Sequence, residues 1–168
     1  MTSKIGFYAG SFDPFTKGHF AVLKESLKEF DKIVIGVGLN PDKKELFTQD
    51  ERVEQIKHLL KDIPNVEVLS YKGLTVDEAI KCNADALIRG ERIIGEHDSE
   101  LELAFMNQLL FDVRGSKIKT HFITISDESL RYVSSSACKY LCSIGEFEAA
   151  KYFVAPYVYD ELIKRYIK

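Results

Sequence analysis

The sequence predicts a doubly wound α/β protein: a five-stranded parallel sheet with helices on both faces and a helical C-terminus, in one domain over residues 1–168. Three observations predict it. Short β-branched apolar runs alternate with stretches whose apolar residues recur every three or four positions. Helix-start signals and glycines punctuate the alternation. The length, 168 residues, suits a single hydrophobic core.

Residues 4–10 are an apolar run ending in glycine, the pattern of a buried strand. Phe20, Leu23, Leu27 and Phe30 follow at helical spacing. Residues 32–38 (K-I-V-I-G-V-G) read as the second strand. Thr48 and Glu51 form a T-x-x-E capping box, and Val53, Ile56, Leu59, Leu60 and Ile63 give the helix behind it an apolar stripe, stopped at Pro64-Asn65. Residues 66–70 are the third strand. A second T-x-x-E, Thr75 to Glu78, is expected to open a short helix ending near Cys82-Asn83. Residues 86–89 are the fourth strand, broken by Gly90. Leu101, Ala104, Phe105 and Leu109 supply the next helical face, which ends by Gly115, and residues 119–125 are the fifth strand. From Ser134 the pattern is helical, interrupted at Gly145 and Pro156; residues 152–168 read as a terminal helix packed on the sheet or partly an interface. A Rossmann-like sheet of this kind binds ligands beyond the carboxyl ends of its strands, where strand order reverses, so the residues just after each strand are the candidates for function.

Composition narrows the class. With 23 basic and 26 acidic residues the net charge is −3, which excludes a generally basic nucleic-acid binder but not a local basic pocket. No apolar run approaches the ~20 residues that span a bilayer, and Met1–Lys4 has no apolar signal region behind it, so no membrane and a cytoplasmic address are expected. Cys82, Cys138 and Cys142 are too few and too odd for a disulfide framework and lack a zinc spacing; they read as packed small side chains, Cys138 and Cys142 sharing a helix face. His58 reads as exposed, and His121 lies in the fifth strand. A metal site at His97 with neighbouring carboxylates is the weaker reading of that residue.

The first strand runs into Gly10-Ser11-Phe12-Asp13-Pro14-Phe15-Thr16-Lys17-Gly18-His19, ending in T-x-G-H. Thr16 suits an N-cap, and Gly18 lets a ligand approach the backbone. His19 stands in the first helical turn, where free N–H groups and the dipole favour an anion. Lys43 and Lys44 follow the second strand in a P-x-K-K turn, a solvated loop or a phosphate contact. Arg89 closes the fourth strand and needs an anion, a salt bridge or water. Ser134, Ser135 and Ser136 open a helix, as a plain cap or as a phosphate cradle.

These motifs together resemble the T/H-x-G-H nucleotidyltransferases, and within them the phosphopantetheine adenylyltransferases. The resemblance covers almost the whole chain, through residues 40–48, 88–92, 100–107 and 133–136. It implies transfer of the adenylyl group of ATP to 4′-phosphopantetheine, giving dephospho-coenzyme A and pyrophosphate. It implies His19 and Lys43 as catalytic residues. It places ATP against Gly10, Ser11, Phe12, Gly18, His19, Arg92, Glu100, Ser134, Ser135 and Ser136, and phosphopantetheine against Ser11, Lys43, Leu74, Thr75 and Arg89. Further implications are Mg²⁺ held mainly by nucleotide phosphates and water rather than by protein ligands, a homohexamer, and coenzyme A as a feedback ligand.

The chain departs from the family pattern at Glu91, where an apolar residue is usual and a charge could pair with Arg89 or Arg92 and compete with phosphate. His97, Ser99 and Leu130 also depart, at the adenine edge. Other acceptors on the same fold are nicotinate mononucleotide or, with CTP, glycerol 3-phosphate. A non-catalytic nucleotide sensor is disfavoured because His19, Lys43, Arg92 and the serines are present together.

Overall fold

The structure is a computed structural model describing residues 3–42, 44–91 and 97–167, the first four of the last span by backbone alone. Its strands are β1 (Ile5–Gly10), β2 (Lys32–Val37), β3 (Val66–Ser70), β4 (Ala86–Glu91) and β5 (Lys119–Thr124). Its helices are α1 (Lys17–Ser26), α2 (Gln49–Leu59), α3 (Thr75–Lys81), α4 (His97–Val113), α5 (Ser135–Ser143), α6 (Phe147–Ala150) and α7 (Pro156–Tyr166), with a 3₁₀ turn at Glu128–Tyr132. All strand pairs are parallel, in the order β3-β2-β1-β4-β5.

Apolar residues on both faces of the central strands build two cores. Tyr8, Ile33, Ile35, Ile88 and Ile123 pack with Val22 and Leu23 of α1 and Val53 and Ile56 of α2. On the other face Phe7, Ala9, Val34 and Leu87 meet Val76 and Ala79 of α3 and Phe111 of α4. The sheet is therefore wound on both faces, as its near-continuous apolar strands require. A third cluster joins Phe47, Cys138, Cys142, Val154, Val158 and Leu162. The terminal helix thus packs on α2 and α5 instead of the sheet. Its approach matters locally: the Phe153 carbonyl accepts from the Lys17 N–H at 2.8 Å, bracing the start of α1.

Four local expectations are corrected. Gly90 does not break β4, which pairs with β5 through Gly90↔Ile123 and Glu91↔Thr124. A Cβ there would sit 2.7 Å from Val22 Cγ2, so the glycine admits α1 against the sheet. Thr75 is not an N-cap: Leu74 holds that position, and the Thr75 hydroxyl bonds Tyr71 Oη at 2.8 Å. The stripe of α2 outlasts its helix, because Leu60 is already the C-cap. In α4 the residues turned to the interior are Ala104, Asn107 and Phe111, while Leu101, Phe105 and Leu109 are 45%, 67% and 47% exposed. The helix is apolar on two stripes, and only one meets the sheet. Thr48–Glu51 is the capping box the spacing predicts, and Cys138 and Cys142 are buried side by side.

Candidate active site

Strand order reverses at the middle of the sheet: from β1 the chain moves outward through β2 to β3, while β4 on the other side of β1 leads outward to β5. Pairing of β1 with β4 stops at Tyr8↔Ile88, before either strand ends. Gly10 and the residues after Ile88 therefore part, and a cleft of about 650 Å³ opens at their carboxyl ends. Its lining includes Gly10, Ser11, Phe12, Gly18, His19, Thr75, Arg89, Ser134, Ser135 and Ser136. The structure so brings together residues that the sequence scatters over the ends of four strands, β1, β3, β4 and β5. Leu74, half exposed, stands beside this group at the start of α3. Lys43 and Arg92 lie outside the described residues, as do the side chains of His97, Ser99 and Glu100.

His19 is built into the start of α1. Thr16 is the N-cap, its Oγ1 accepting from the His19 N–H at 3.3 Å, and the Thr16 N–H donates to His19 Nδ1 at 3.0 Å. The imidazole thus fills the place that Glu or Gln takes in an ordinary capping box. With Nδ1 accepting, the proton of the neutral ring resides on Nε2. Phe12 and Phe15 flank the ring at 5.1 and 5.5 Å between centroids, Phe12 edge-on. Phe12 itself has φ +49°, and a Cβ on Gly10 would lie 2.9 Å from its ring. Gly18 has a reason beyond ligand approach: a Cβ there would lie 2.5 Å from the Val133 carbonyl oxygen. That glycine lets the segment entering α5 close onto the start of α1, so two helix N-termini meet at one cleft.

The three serines divide their work. Ser134 caps α5, accepting from the Ala137 N–H at 3.1 Å. Ser135 donates to the Pro14 carbonyl at 2.8 Å, tying α5 to the loop after β1. Ser136 makes no hydrogen bond through its side chain among the described residues and lines the cleft.

The cleft is cationic although the chain is not. Arg52, Arg89, Arg131 and Lys139 line it, against the carboxylates Asp13 and Glu45. Asp13 is spent on the fold, accepting from the Leu46 and Phe47 N–H groups at 2.8 and 2.9 Å and from Lys139 Nζ at 3.2 Å. Glu45 pairs with Arg52. Arg89 has no acidic partner among the described residues, and its charge partly offsets the burial that pushes the Tyr71 phenol up. Glu91 does not compete for it: Glu91 Oε2 accepts from Thr124 Oγ1 at 2.6 Å, across to β5. Among the described residues there is no cluster of three His, Cys, Asp or Glu side chains suited to hold a metal ion. The groups on offer are N–H, hydroxyl and cationic donors, which bind phosphate.

Sequence reasoning passed over Lys139, Arg131, Asp13 and Arg52. Lys139 had a signal, falling one helical turn after Ser135 and Ser136 on the helix they open. Arg52 had none, since a charged residue within a helix ordinarily reads as exposed.

Residues 7–140 match the cytidylyltransferase-like family. A phosphopantetheine adenylyltransferase of Lachnoclostridium phytofermentans is 47% identical over 142 residues, 84% of each chain. One of Caldanaerobacter subterraneus subsp. tengcongensis is 37% identical over 165 residues, 98% of this chain and 99% of that one. Among solved structures, the lipopolysaccharide core biosynthesis protein of Thermoplasma volcanium GSS1 superposes with a TM-score of 0.50 at 22% identity, over 75% of this chain and 98% of that one. That likeness concerns the fold alone.

Proposed function

Because the chain belongs to the phosphopantetheine adenylyltransferase family, we propose that it transfers the adenylyl group of ATP to 4′-phosphopantetheine, giving dephospho-coenzyme A and pyrophosphate in coenzyme A biosynthesis. The observation that carries this reading is the cationic cleft at the β1/β4 switch point, where His19 and the N-termini of α1 and α5 converge.

The acceptor phosphate is already an anionic nucleophile at neutral pH, so no general base or covalent enzyme intermediate is required. The protein's task is to hold two polyanions in line and to neutralise charge growing on the α-phosphoryl oxygens. His19, with its proton on Nε2, donates there. The N-terminal amides of α5 and the Ser136 hydroxyl suit the triphosphate tail, which Lys139 flanks. Arg89, beside Tyr71 and Thr75, suits the phosphate of the acceptor arm. Lys43 and Arg92 complete the phosphate-handling set in this reading, and Gly10, Ser11, Phe12 and Gly18 bring backbone close to the nucleotide. Leu74 and Thr75 would flank the pantetheine arm and Glu100 the ribose. Mg²⁺ enters as the ATP complex, since the cleft's two described carboxylates are already engaged.

The same reading includes a cytoplasmic address, a homohexamer, and coenzyme A as a feedback ligand. Consistent with the first, no helix among the described residues is long and apolar enough to cross a membrane. The exposed apolar stripe of α4 supports assembly.

A pyrophosphate-release assay over a panel of acceptors tests the activity. Release is expected with ATP and 4′-phosphopantetheine, and not with nicotinate mononucleotide or with CTP and glycerol 3-phosphate. Tight ATP binding without release would mark a sensor.

A further inference from the structure

On the adenylyl-transfer reading above, we infer that Arg52 is a positioning residue: a buried guanidinium that locks the loop after β1 to the loop after β2 and thereby sets the phosphate-handling groups of one against the other. Arg52 lies in the first turns of α2 and is 1% exposed. Its Nε donates to the carbonyls of Phe47 and Thr48 at 3.1 and 3.3 Å. Its Nη1 donates to the carbonyls of Ser11 and Gly38 at 2.7 and 3.3 Å, and its Nη2 pairs with Glu45.

The distribution of those acceptors is what assigns the role. Ser11 begins the loop that leads to Phe12 and His19. Gly38 and Glu45 bracket residues 39–44, the stretch of sequence that contains Lys43. A second tie, from the Gly38 N–H to the Gly10 carbonyl at 2.9 Å, joins the same two loops one residue away. A position this deeply buried on a helix is ordinarily apolar, because burying a charge is unfavourable unless its hydrogen bonds are well satisfied. Here all three guanidinium nitrogens are engaged, which leaves the group to act through the backbone it grips. Lysine cannot replace that planar fork, since its ammonium is a point charge on a flexible stem. In-line transfer is sensitive to such placement: a shift of about 1 Å can cost about 100-fold in rate.

The experiment compares wild type, Arg52→Lys, His19→Ala and the double variant by steady-state turnover of ATP with 4′-phosphopantetheine, with thermal unfolding alongside. Arg52→Lys is expected to remain folded and to lose about 10- to 100-fold in kcat, with KM for ATP within a few-fold. In the His19→Ala background the same substitution should cost several-fold less than in wild type, because one of the two groups it sets against each other is gone. An equal loss in both backgrounds, or a near-normal kcat, overturns the positioning role. Should Arg52→Lys not fold, Glu45→Ala decides by the same comparison, and an unchanged kcat there overturns it. Absence of turnover in wild type would instead overturn the adenylyl-transfer reading, and the role of Arg52 with it.

Discussion

The Thr16 backbone N–H donates to Nδ1 of His19 at 3.0 Å while Thr16 Oγ1 accepts from the His19 N–H. One residue thus completes a helix cap and presents a ring to the cleft, which lets the two roles be separated by mutation. His19→Ala should lower kcat by about two to three orders of magnitude, as loss of one donor to a developing oxyanion does, with ATP affinity within a few-fold. It should also destabilise the protein by about 1 kcal/mol through the lost cap. His19→Gln restores the capping-box chemistry and should recover the stability but not kcat. Turnover and urea unfolding of the pair decide. A His19→Ala enzyme with near-normal turnover would remove the residue from the mechanism.

The serines predict a contrast within three consecutive positions. Ser134→Ala removes a helix cap and should cost about 1 kcal/mol of stability. Ser136→Ala removes a hydroxyl unengaged among the described residues, so it should raise the Kd for ATP several-fold with the melting temperature unchanged. Calorimetric titration with ATP and thermal melts of both variants test the division. A larger ATP defect in Ser134→Ala than in Ser136→Ala would reverse the assignment.

Much of this site could be read from the sequence because its motifs are local. T-x-G-H, Arg89 and the serine run each sit at a strand's carboxyl end or a helix start, and strand–helix alternation implies that those ends share one side of the sheet. What sequence could not supply was set by long-range partners. Glu91 reads as a competitor for arginine until β5 places Thr124 beside it. Gly90 reads as a breaker until α1 packs over it. In α4 two apolar stripes have the same helical period, so periodicity alone cannot say which meets the sheet. Arg52 and Asp13 each take part of their meaning from backbone groups more than 30 residues away in the chain.

Asp13 holds three elements with one carboxylate: the loop after β1, the entry to α2, and Lys139 of α5. Asp13→Ala leaves two N–H groups and an ammonium without their acceptor in a region where Asp13 is 5% exposed. It should destabilise the fold by about 3 kcal/mol or more. Lys139→Met, at a side chain 23% exposed, should cost far less stability while raising KM for ATP. Chemical denaturation and steady-state kinetics of the two variants separate a structural carboxylate from a phosphate-facing cation. Comparable stability losses would contradict that split.

The exposed stripe of α4 predicts how the proposed homohexamer comes apart. Leu101, Phe105, Leu109 and Val113 recur four residues apart, with Phe105 67% and Val113 75% exposed. Burial of such a stripe against another copy of the chain drives association at roughly 25 cal/mol per Å² of apolar surface. Phe105→Glu should therefore yield smaller species in light scattering coupled to size-exclusion chromatography, with the circular dichroism of the fold retained. An unchanged assembly would place the interface elsewhere.

Stability at alkaline pH should report the cysteine pair on the buried face of α5. Burial, reinforced by the neighbouring Cys142, pushes the Cys138 thiol from its ordinary value of 9.0 up to about 12. The folded state therefore prefers the neutral thiol more strongly than the unfolded chain does. The resulting stabilisation is complete below pH 9 and is lost as pH rises from 9 towards 12, where the unfolded chain ionises first. Melting temperature should fall between pH 8 and pH 11, and the fall should be smaller in Cys138→Ala, which has no thiolate to form there. That variant should melt lower than wild type at pH 8, because it leaves a small void in a fully buried site. Parallel alkaline drops in both proteins would show that ionisation of this thiol has no part in the loss of stability.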